Sequence, residues 1–239
     1  MNRKRALAPE LTSNFVRLWR FDLARTGSSD GTCILQAVSW IEHRTLSEEP
    51  ACVCPVITAA ARAINDTLPA RKRQELKPYI PRLIGTVDRK SYAARYDFLV
   101  RRSLLIYAQL ILKFYALTAN AENLDSFTNF SDPGKAVAAI PHYLFRRPSA
   151  KMAPAILLGY ASSVAQVAAI DRGTRFDGVP PTTAIPAAAR YAPRRDRPLI
   201  YNMMFNTLDG LLAIGKQAKP IRREAVIEAV ETFSETLAA

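Results

Sequence analysis

Two long segments of this sequence carry almost no charge, and they limit the possible folds more than any other feature. Leu104–Leu117 has one charged residue, and Met152–Ile170 has none over 19 positions. A helix that is apolar on every side is either buried in a core or spans a membrane. The second segment also contains Pro154, Gly159 and Gln166 and is rich in alanine, so we favour a buried helix over a membrane span.

The rest of the chain has helical rather than strand periodicity, because no stretch alternates with period two over a convincing length. Only 9 glycines are present, which argues against a turn-dense β fold and a glycine-rich nucleotide cradle. We therefore predict one all-α domain of about eight to ten helices spanning residues 1–239, with Leu104–Leu117 and Ile156–Ile170 at its centre. A composition change near residues 120–133 leaves a division into two units as the alternative.

Apolar spacing and capping residues predict where the individual helices lie. Pro55 suits the first turn of one of them. The Ile221–Leu237 segment is acidic and amphipathic, and we expect it to pack on the outside of the core. The main predicted helices are 10–25, Cys33–His43, Val56–Leu68, Arg71–Tyr79, Ser91–Ala119, Leu199–Ala218 and Ile221–Leu237.

Positive charge is the strongest broad signal of function. Lys and Arg number 33 against 21 Asp and Glu, a formal charge of +12. Three clusters of basic residues stand out: the first is Arg71, Lys72 and Arg73 with Lys77 and Arg82, the second is Arg89 and Lys90 with Arg95, Arg101 and Arg102, and the third is Arg190, Arg194, Arg195 and Arg197. Tyr79, Tyr92 and Tyr96 neighbour these cations in the sequence, which fits nucleic-acid contact. Arginine suits phosphate, so the three clusters predict a binding protein that engages an acidic partner, with nucleic acid the first candidate. A solvated basic face or a docking surface for an acidic protein stays open, because no recognised DNA- or RNA-binding motif is present. The expected contacts are Arg71, Lys72, Arg73, Arg101, Arg102, Arg194 and Arg195.

The N-terminal residues and the cysteines bear on the cellular compartment. Glu10, Arg17, Arg20 and Asp22 interrupt any apolar run near the N-terminus, so we expect no cleaved signal peptide. Three cysteines without such a peptide suggest free thiols in the reducing cytoplasm.

The alternative function is that of a cysteine-dependent hydrolase or transferase in which Cys33 is the nucleophile. Cys33 lies near a predicted helix N-terminus, where backbone N–H groups and the helix dipole lower the pKa of a thiol. His43 is about 15 Å further along the same helix, which is too far for direct activation. His142 is therefore the candidate base in this alternative. The competing interpretation, which we favour, is a small buried thiol that packs a helix start.

Two other groups of residues are candidates for site chemistry. Cys52 and Cys54 with Cys33 and His43 would make four zinc ligands, but Cys-x-Cys is not the usual zinc spacing. We favour ordinary packing there, and we expect no metal and no cofactor. The Asn65–Asp66 pair would form either a polar site or a helix C-terminal cap with Asn in the left-handed region, and the cap is favoured.

Four stretches of the sequence share a recognisable pattern: Asp30–Glu42, Glu49–Ile57, Ala60–Asp66 and Pro81–Thr86. Together they span residues 30–86, about a quarter of the chain. They resemble a family of uncharacterised bacterial and phage-borne helical proteins, whose pattern is Cys-x-x-Glu-Ala, Pro-x-Cys-Val-x-Pro, Asn-Asp and Leu-x-Gly-Thr. The resemblance implies a shared helical fold and brings no known activity. The family pattern has an acidic residue where this chain has Gln36; if that carboxylate is catalytic in the family, this chain lacks it.

Overall fold

The computed structural model describes residues 19–29, 31–103, 194–215 and 223–238, together with positions 182, 186, 189 and 190. The chain divides into two compact units. Met1–Arg95 and Leu208–Ala239 form unit 1, and Tyr96–Thr207 forms unit 2. Both predicted central helices and the composition change near residues 120–133 lie outside the described residues, so those predictions stay open.

Helices dominate the part of the chain that the structure describes, as expected for an all-α fold. No strand occurs among these residues, and Leu23 and Thr32 form an isolated parallel bridge. The total of eight to ten helices stays a prediction. The α-helices are α1 (Ile34–His43), α2 (Pro55–Thr67), α3 (Ala70–Arg73), α4 (Ile80–Leu83), α5 (92–103), α6 (Arg197–Ala213) and α7 (Arg223–Ala238). Short 3-10 helices span Gln74–Tyr79, Arg89–Ser91 and Arg194–Asp196.

Local chemistry sets both ends of α1. Cys33 is its N-cap, and Arg44 is its C-cap in the left-handed region with φ 56°. The Arg44 guanidinium donates to the carbonyl oxygens of Ile41 and Trp40 at 2.6 and 3.1 Å, which satisfies acceptors that the helix end leaves without partners. The prediction of a helix over Cys33–His43 is therefore confirmed.

The segment after α2 is broken into shorter pieces than the sequence suggests. Pro55 occupies the first turn of α2, as predicted. The expected Arg71–Tyr79 helix changes at Gln74 into a 3-10 helix that contains Pro78. Because proline lacks an N–H and clashes with the preceding turn, a continuous α-helix is disfavoured there. Pro81 lies in the first turn of α4, where a missing backbone N–H costs no helical hydrogen bond.

The predicted helix over residues 10–25 is wrong for its C-terminal part, because residues 19–25 are not helical. Leu23 instead exchanges two hydrogen bonds with the side chain of Gln74: its N–H donates to Oε1 at 2.9 Å, and its carbonyl accepts from Nε2 at 3.0 Å. This side-chain clamp satisfies backbone groups that a helix would have paired internally.

Helix α7 packs on the rest of unit 1 through an aromatic cluster. The Phe233 ring lies 4.6–5.5 Å from the rings of Phe21, Trp40 and Trp19. The indole N–H of Trp40 donates to the Ala229 carbonyl oxygen at 2.9 Å. Phe233 and Ala229 are buried and belong to the predicted apolar side of this helix, which is confirmed.

The C-terminal end of α6 is fastened to the same unit by polar contacts. Asp209 accepts hydrogen bonds from the Tyr79 hydroxyl at 3.1 Å and from Arg82 at 2.7 Å. Gly215 follows with φ +72°, so this helix ends before the predicted Ala218. Across the described residues, no helix is both long and apolar enough to cross a membrane.

Candidate functional site

Cys33 begins α1 through a reciprocal pair of hydrogen bonds with Gln36. The Gln36 backbone N–H donates to the Cys33 sulfur at 3.4 Å, and the Cys33 N–H donates to Gln36 Oε1 at 3.0 Å. This is a capping box in which a thiol takes the place of the usual serine or threonine. Gln36 therefore has a structural role at the start of α1.

The environment of the Cys33 thiol opposes reactivity. Its side chain is fully buried, and burial raises the thiol pKa above 9.0, its usual value. Hydrogen bonds from the backbone of Gln36 and Leu35 act in the lowering direction but do not offset the desolvation. The expected lowering by the helix N-terminus is thus outweighed. Because the thiolate is the nucleophilic form, these features favour the packed thiol over the catalytic one.

The proposed partners of Cys33 are not assembled around it in the described residues. His43 is exposed at the other end of α1. His142 lies outside the described residues, so its role as a base stays a prediction. Cys54 is buried as the N-cap of α2, and Cys52 is partly exposed. No group of three or more metal-ligating side chains occurs in the described part of the chain.

Asn65 and Asp66 hold the loop before α1 against α2. Asn65 is fully buried, and its Nδ2 donates to the Ala24 carbonyl at 2.9 Å. Asp66 Oδ1 accepts from the Thr26 backbone N–H at 2.8 Å. The predicted left-handed cap is wrong, because α2 continues to Thr67 and both residues lie inside it. The pair acts here as an anchor for the loop backbone.

Arg73 was expected to contact a partner, and the structure corrects this. Only 5% of its surface is exposed. Its Nε donates to the Asn65 carbonyl at 2.7 Å and its Nη2 to the Leu68 carbonyl at 2.8 Å. Burial lowers the pKa of this guanidinium, and the nearby positive charge of Arg25 lowers it further. Arg73 therefore closes the C-terminal end of α2 and is not accessible to a partner.

The other members of this first cluster differ in how far their charge is neutralised. Lys72 pairs with Glu75 at 2.7 Å, and Lys77 pairs with Asp22 at 3.3 Å. Arg71 is exposed and forms no ion pair with another described residue. The cluster therefore presents Arg71 to solvent, with Lys72 partly neutralised beside it.

The second cluster is also divided. Arg95 is fully buried, and Arg101 pairs with Asp97 at 2.7 Å. Arg102 is partly buried, and burial lowers the pKa of its guanidinium. Arg89 and Lys90 are exposed and form no ion pair within the described residues. The accessible charge of this cluster thus lies at its N-terminal end, ahead of the predicted contacts Arg101 and Arg102.

An exposed surface surrounds this accessible charge, and we call it the 87–92 surface. It consists of Val87, Arg89, Lys90 and Tyr92, with Val87 41% and Tyr92 39% exposed. Sequence reasoning had grouped the tyrosine with the arginines but had missed Val87. The sequence does contain an indication that Val87 is exposed. Lys90 and Ser91, three and four residues further along the chain, are polar, so Val87 has no apolar neighbour at helical spacing on that side.

The third cluster lies in unit 2. Arg194 and Arg195 are exposed in the 3-10 helix that precedes α6, and Arg190 is also exposed. The structure thus leaves Arg194 and Arg195 accessible, as a contact role requires. Of the predicted contacts, Arg71, Arg194 and Arg195 are exposed, whereas Arg73 is buried.

Comparison with known proteins gives no relative to argue from: the chain matches no protein-family model, no curated protein and no solved structure.

Proposed function

We propose that this chain is a basic helical binding protein of bacterial or phage origin that engages an acidic partner, with nucleic acid as the first candidate. The observation that supports it is the exposure of Arg71, Arg89 and Lys90 without an ion pair among the described residues. The contact set is then Arg71, Arg89, Lys90, Arg194 and Arg195, with Lys72 in a secondary role.

Exposed cations that form no ion pair with a described residue are suited to phosphate for two physical reasons. They have not already exchanged solvent for a protein carboxylate, so they bind a phosphate without breaking an existing pair. Each phosphate that they neutralise releases condensed counterions, which makes the affinity fall steeply with salt. Such contacts position a protein on nucleic acid without reading its sequence.

The first experiment is retention on heparin and binding to short mixed-sequence DNA and RNA across a salt series. We expect binding at low salt and a steep linear fall of log K against log salt concentration. Absence of binding to all three at low salt contradicts the proposal. Binding to heparin alone, with no binding to either nucleic acid, would point to an acidic protein as the partner.

A charge-matched pair of variants separates a local contact from net charge. Arg71→Gln and Ala59→Glu each lower the net charge by one unit, and Ala59 is an exposed position of α2. If Arg71 touches phosphate, Arg71→Gln weakens binding and reduces the salt slope by about one counterion. Ala59→Glu then has the smaller effect. Equal effects of the two variants would show that only the overall charge matters.

A further inference from the structure

The 87–92 surface combines exposed apolar and exposed cationic side chains within six residues. Among the described residues four large apolar side chains are exposed, and two of them, Val87 and Tyr92, lie within this segment. Arg89 and Lys90 are exposed between them. An exposed aromatic ring close in sequence to exposed cations is the combination of side chains that single-stranded nucleic acid contacts.

The backbone of this segment is held in place by its own hydrogen bonds. The Val87 N–H donates to the Cys52 carbonyl at 3.2 Å. The Asp88 carboxylate accepts from the Lys90 N–H at 3.0 Å and from the Ser91 hydroxyl at 2.6 Å. The one acid of the segment is therefore engaged within it. A surface fixed in this way loses less conformational entropy when a ligand binds.

The chemistry of this surface distinguishes single strands from duplexes. In a duplex the base faces are stacked on one another, whereas an unpaired base offers its face to an aromatic side chain. We propose that the 87–92 surface binds single-stranded nucleic acid, with an unpaired base stacked on Tyr92 beside Val87 and backbone phosphates held by Arg89 and Lys90. This inference rests on the proposed function and names its substrate class.

The test compares strands and duplexes of equal length with the full chain. Fluorescence anisotropy at low salt uses labelled oligo-dT and oligo-U of about 15 nucleotides and a DNA duplex of about 15 base pairs. We expect both single strands to bind about tenfold more tightly than the duplex. If one of the two single strands binds more tightly than the other, that result identifies single-stranded DNA or RNA as the preferred ligand.

Variants of Tyr92 isolate the stacking contact. Tyr92→Ala should weaken single-strand binding about tenfold and leave duplex and heparin binding unchanged, whereas Tyr92→Phe should retain single-strand affinity. Lys90→Gln should weaken binding to all three ligands. Unfolding in urea checks that each variant folds. Val87→Ser is a second, milder substitution in the apolar part of the surface, and it should also weaken single-strand binding without affecting duplex binding.

Two results would overturn the inference while leaving the proposed function intact. They are duplex binding as tight as single-strand binding, and single-strand binding that is insensitive to Tyr92→Ala in a folded protein. Absence of binding to heparin and to every polynucleotide would instead contradict the proposed function itself, and the inference would fail with it.

Discussion

The Arg95 guanidinium binds the Ile214 carbonyl twice, with Nε at 3.0 Å and Nη2 at 2.7 Å, across 119 positions of sequence. Its Nη1 also donates to the Thr86 carbonyl at 2.7 Å. The side chain is fully buried. Arg95 thus closes the end of α6 and ties it to the residues that lead into the 87–92 surface. An arginine inside a basic cluster of the sequence is here a component of the core.

Replacing Arg95 should destabilise the protein. Arg95→Gln removes donors from two buried carbonyl groups, and we expect the free energy of unfolding to fall by about 2–4 kcal/mol. Urea unfolding followed by circular dichroism measures it. Arg89→Gln is the control, because Arg89 is exposed and its replacement should change stability by less than about 0.5 kcal/mol. Similar losses in both variants would contradict this role for Arg95.

A side chain at Gly215 would meet two obstacles, a left-handed backbone and a steric clash. Gly27 has the same backbone conformation without the clash, so it isolates the backbone effect. Gly215 and Gly27 have almost the same φ, +72° and +71°. A Cβ at Gly215 would collide with the Ser91 side chain, whereas a Cβ at Gly27 would meet nothing within 4 Å. Gly27→Ala should therefore cost about 1 kcal/mol from backbone strain alone.

Gly215→Ala should cost clearly more than Gly27→Ala in thermal or urea unfolding, because Ser91 must also move. The double variant Gly215→Ala/Ser91→Gly should recover part of the difference, since it removes the colliding side chain. A Gly215→Ala variant no less stable than Gly27→Ala would show that the end of α6 adapts to the added methyl group.

Replacing Arg73 should lower the stability of the protein, whereas replacing Arg71 should weaken nucleic-acid binding. Arg73→Gln leaves the Asn65 and Leu68 carbonyls without their donors, and we expect a loss of about 2–3 kcal/mol in unfolding free energy. Arg71→Gln, two residues earlier, should leave stability unchanged and weaken nucleic-acid binding. The two readouts are urea unfolding and anisotropy. Loss of binding in a stable Arg73→Gln protein, with normal binding by Arg71→Gln, would reverse the assignment.

Stability should fall in strongly alkaline solution because of Tyr79. Burial, followed by the charge and hydrogen bond of Asp209, raises the pKa of Tyr79 from 10.0 to about 12. Above pH 10 the unfolded chain loses the phenolic proton while the folded chain keeps it, so rising pH favours unfolding. The contribution is fully present below pH 10 and is lost as the pH rises through 12, about 3 kcal/mol in all.

Tyr79→Phe supplies the reference for this titration. The unfolding free energy of the unsubstituted protein relative to that of Tyr79→Phe should decrease between pH 10 and pH 12, because only the unsubstituted protein carries the phenol. Lysines titrate in both and cancel in the difference. A pH-independent difference would mean that the phenol ionises equally in the folded and unfolded states.

Cys33 should be protected from alkylation while the protein is folded. The thiolate is the reactive form, and burial both hides the thiol and raises its pKa, so iodoacetamide at about pH 8 should modify it far more slowly in buffer than in urea. Peptide mass spectrometry measures this site by site, with the partly exposed Cys52 as the internal reference. Rapid modification of Cys33 in the native protein would revive the nucleophile hypothesis.

Local signals and distant contacts explain which predictions held. The starts of α1 and α2 follow from Cys33, Gln36 and Pro55, all within a few residues of the helix ends that they shape. Residues 19–25 have apolar side chains at helical spacing, but Gln74 pairs their backbone at Leu23 and Phe233 contacts the Phe21 ring, and both partners are remote in sequence. No local pattern carries that information.

The same distinction applies to the candidate site. The sequence shows where cations cluster but not which of them donate to buried carbonyl groups. Arg73 offered a hint, since it precedes Leu76 and Ile80 at helical spacing and shares their burial. Arg95 offered less, because its acceptor Ile214 is set by the tertiary fold.

The contact between Trp40 and Ala229 spans 189 positions, and α1 and α7 bracket a whole compact unit in the sequence. During synthesis the residues of α1 therefore leave the ribosome long before their partner exists. Until α7 emerges, the aromatic side chains that it covers stay open to water and to other chains. Unit 1 should accordingly complete its folding late, and the nascent chain is the form of this protein most in need of a chaperone.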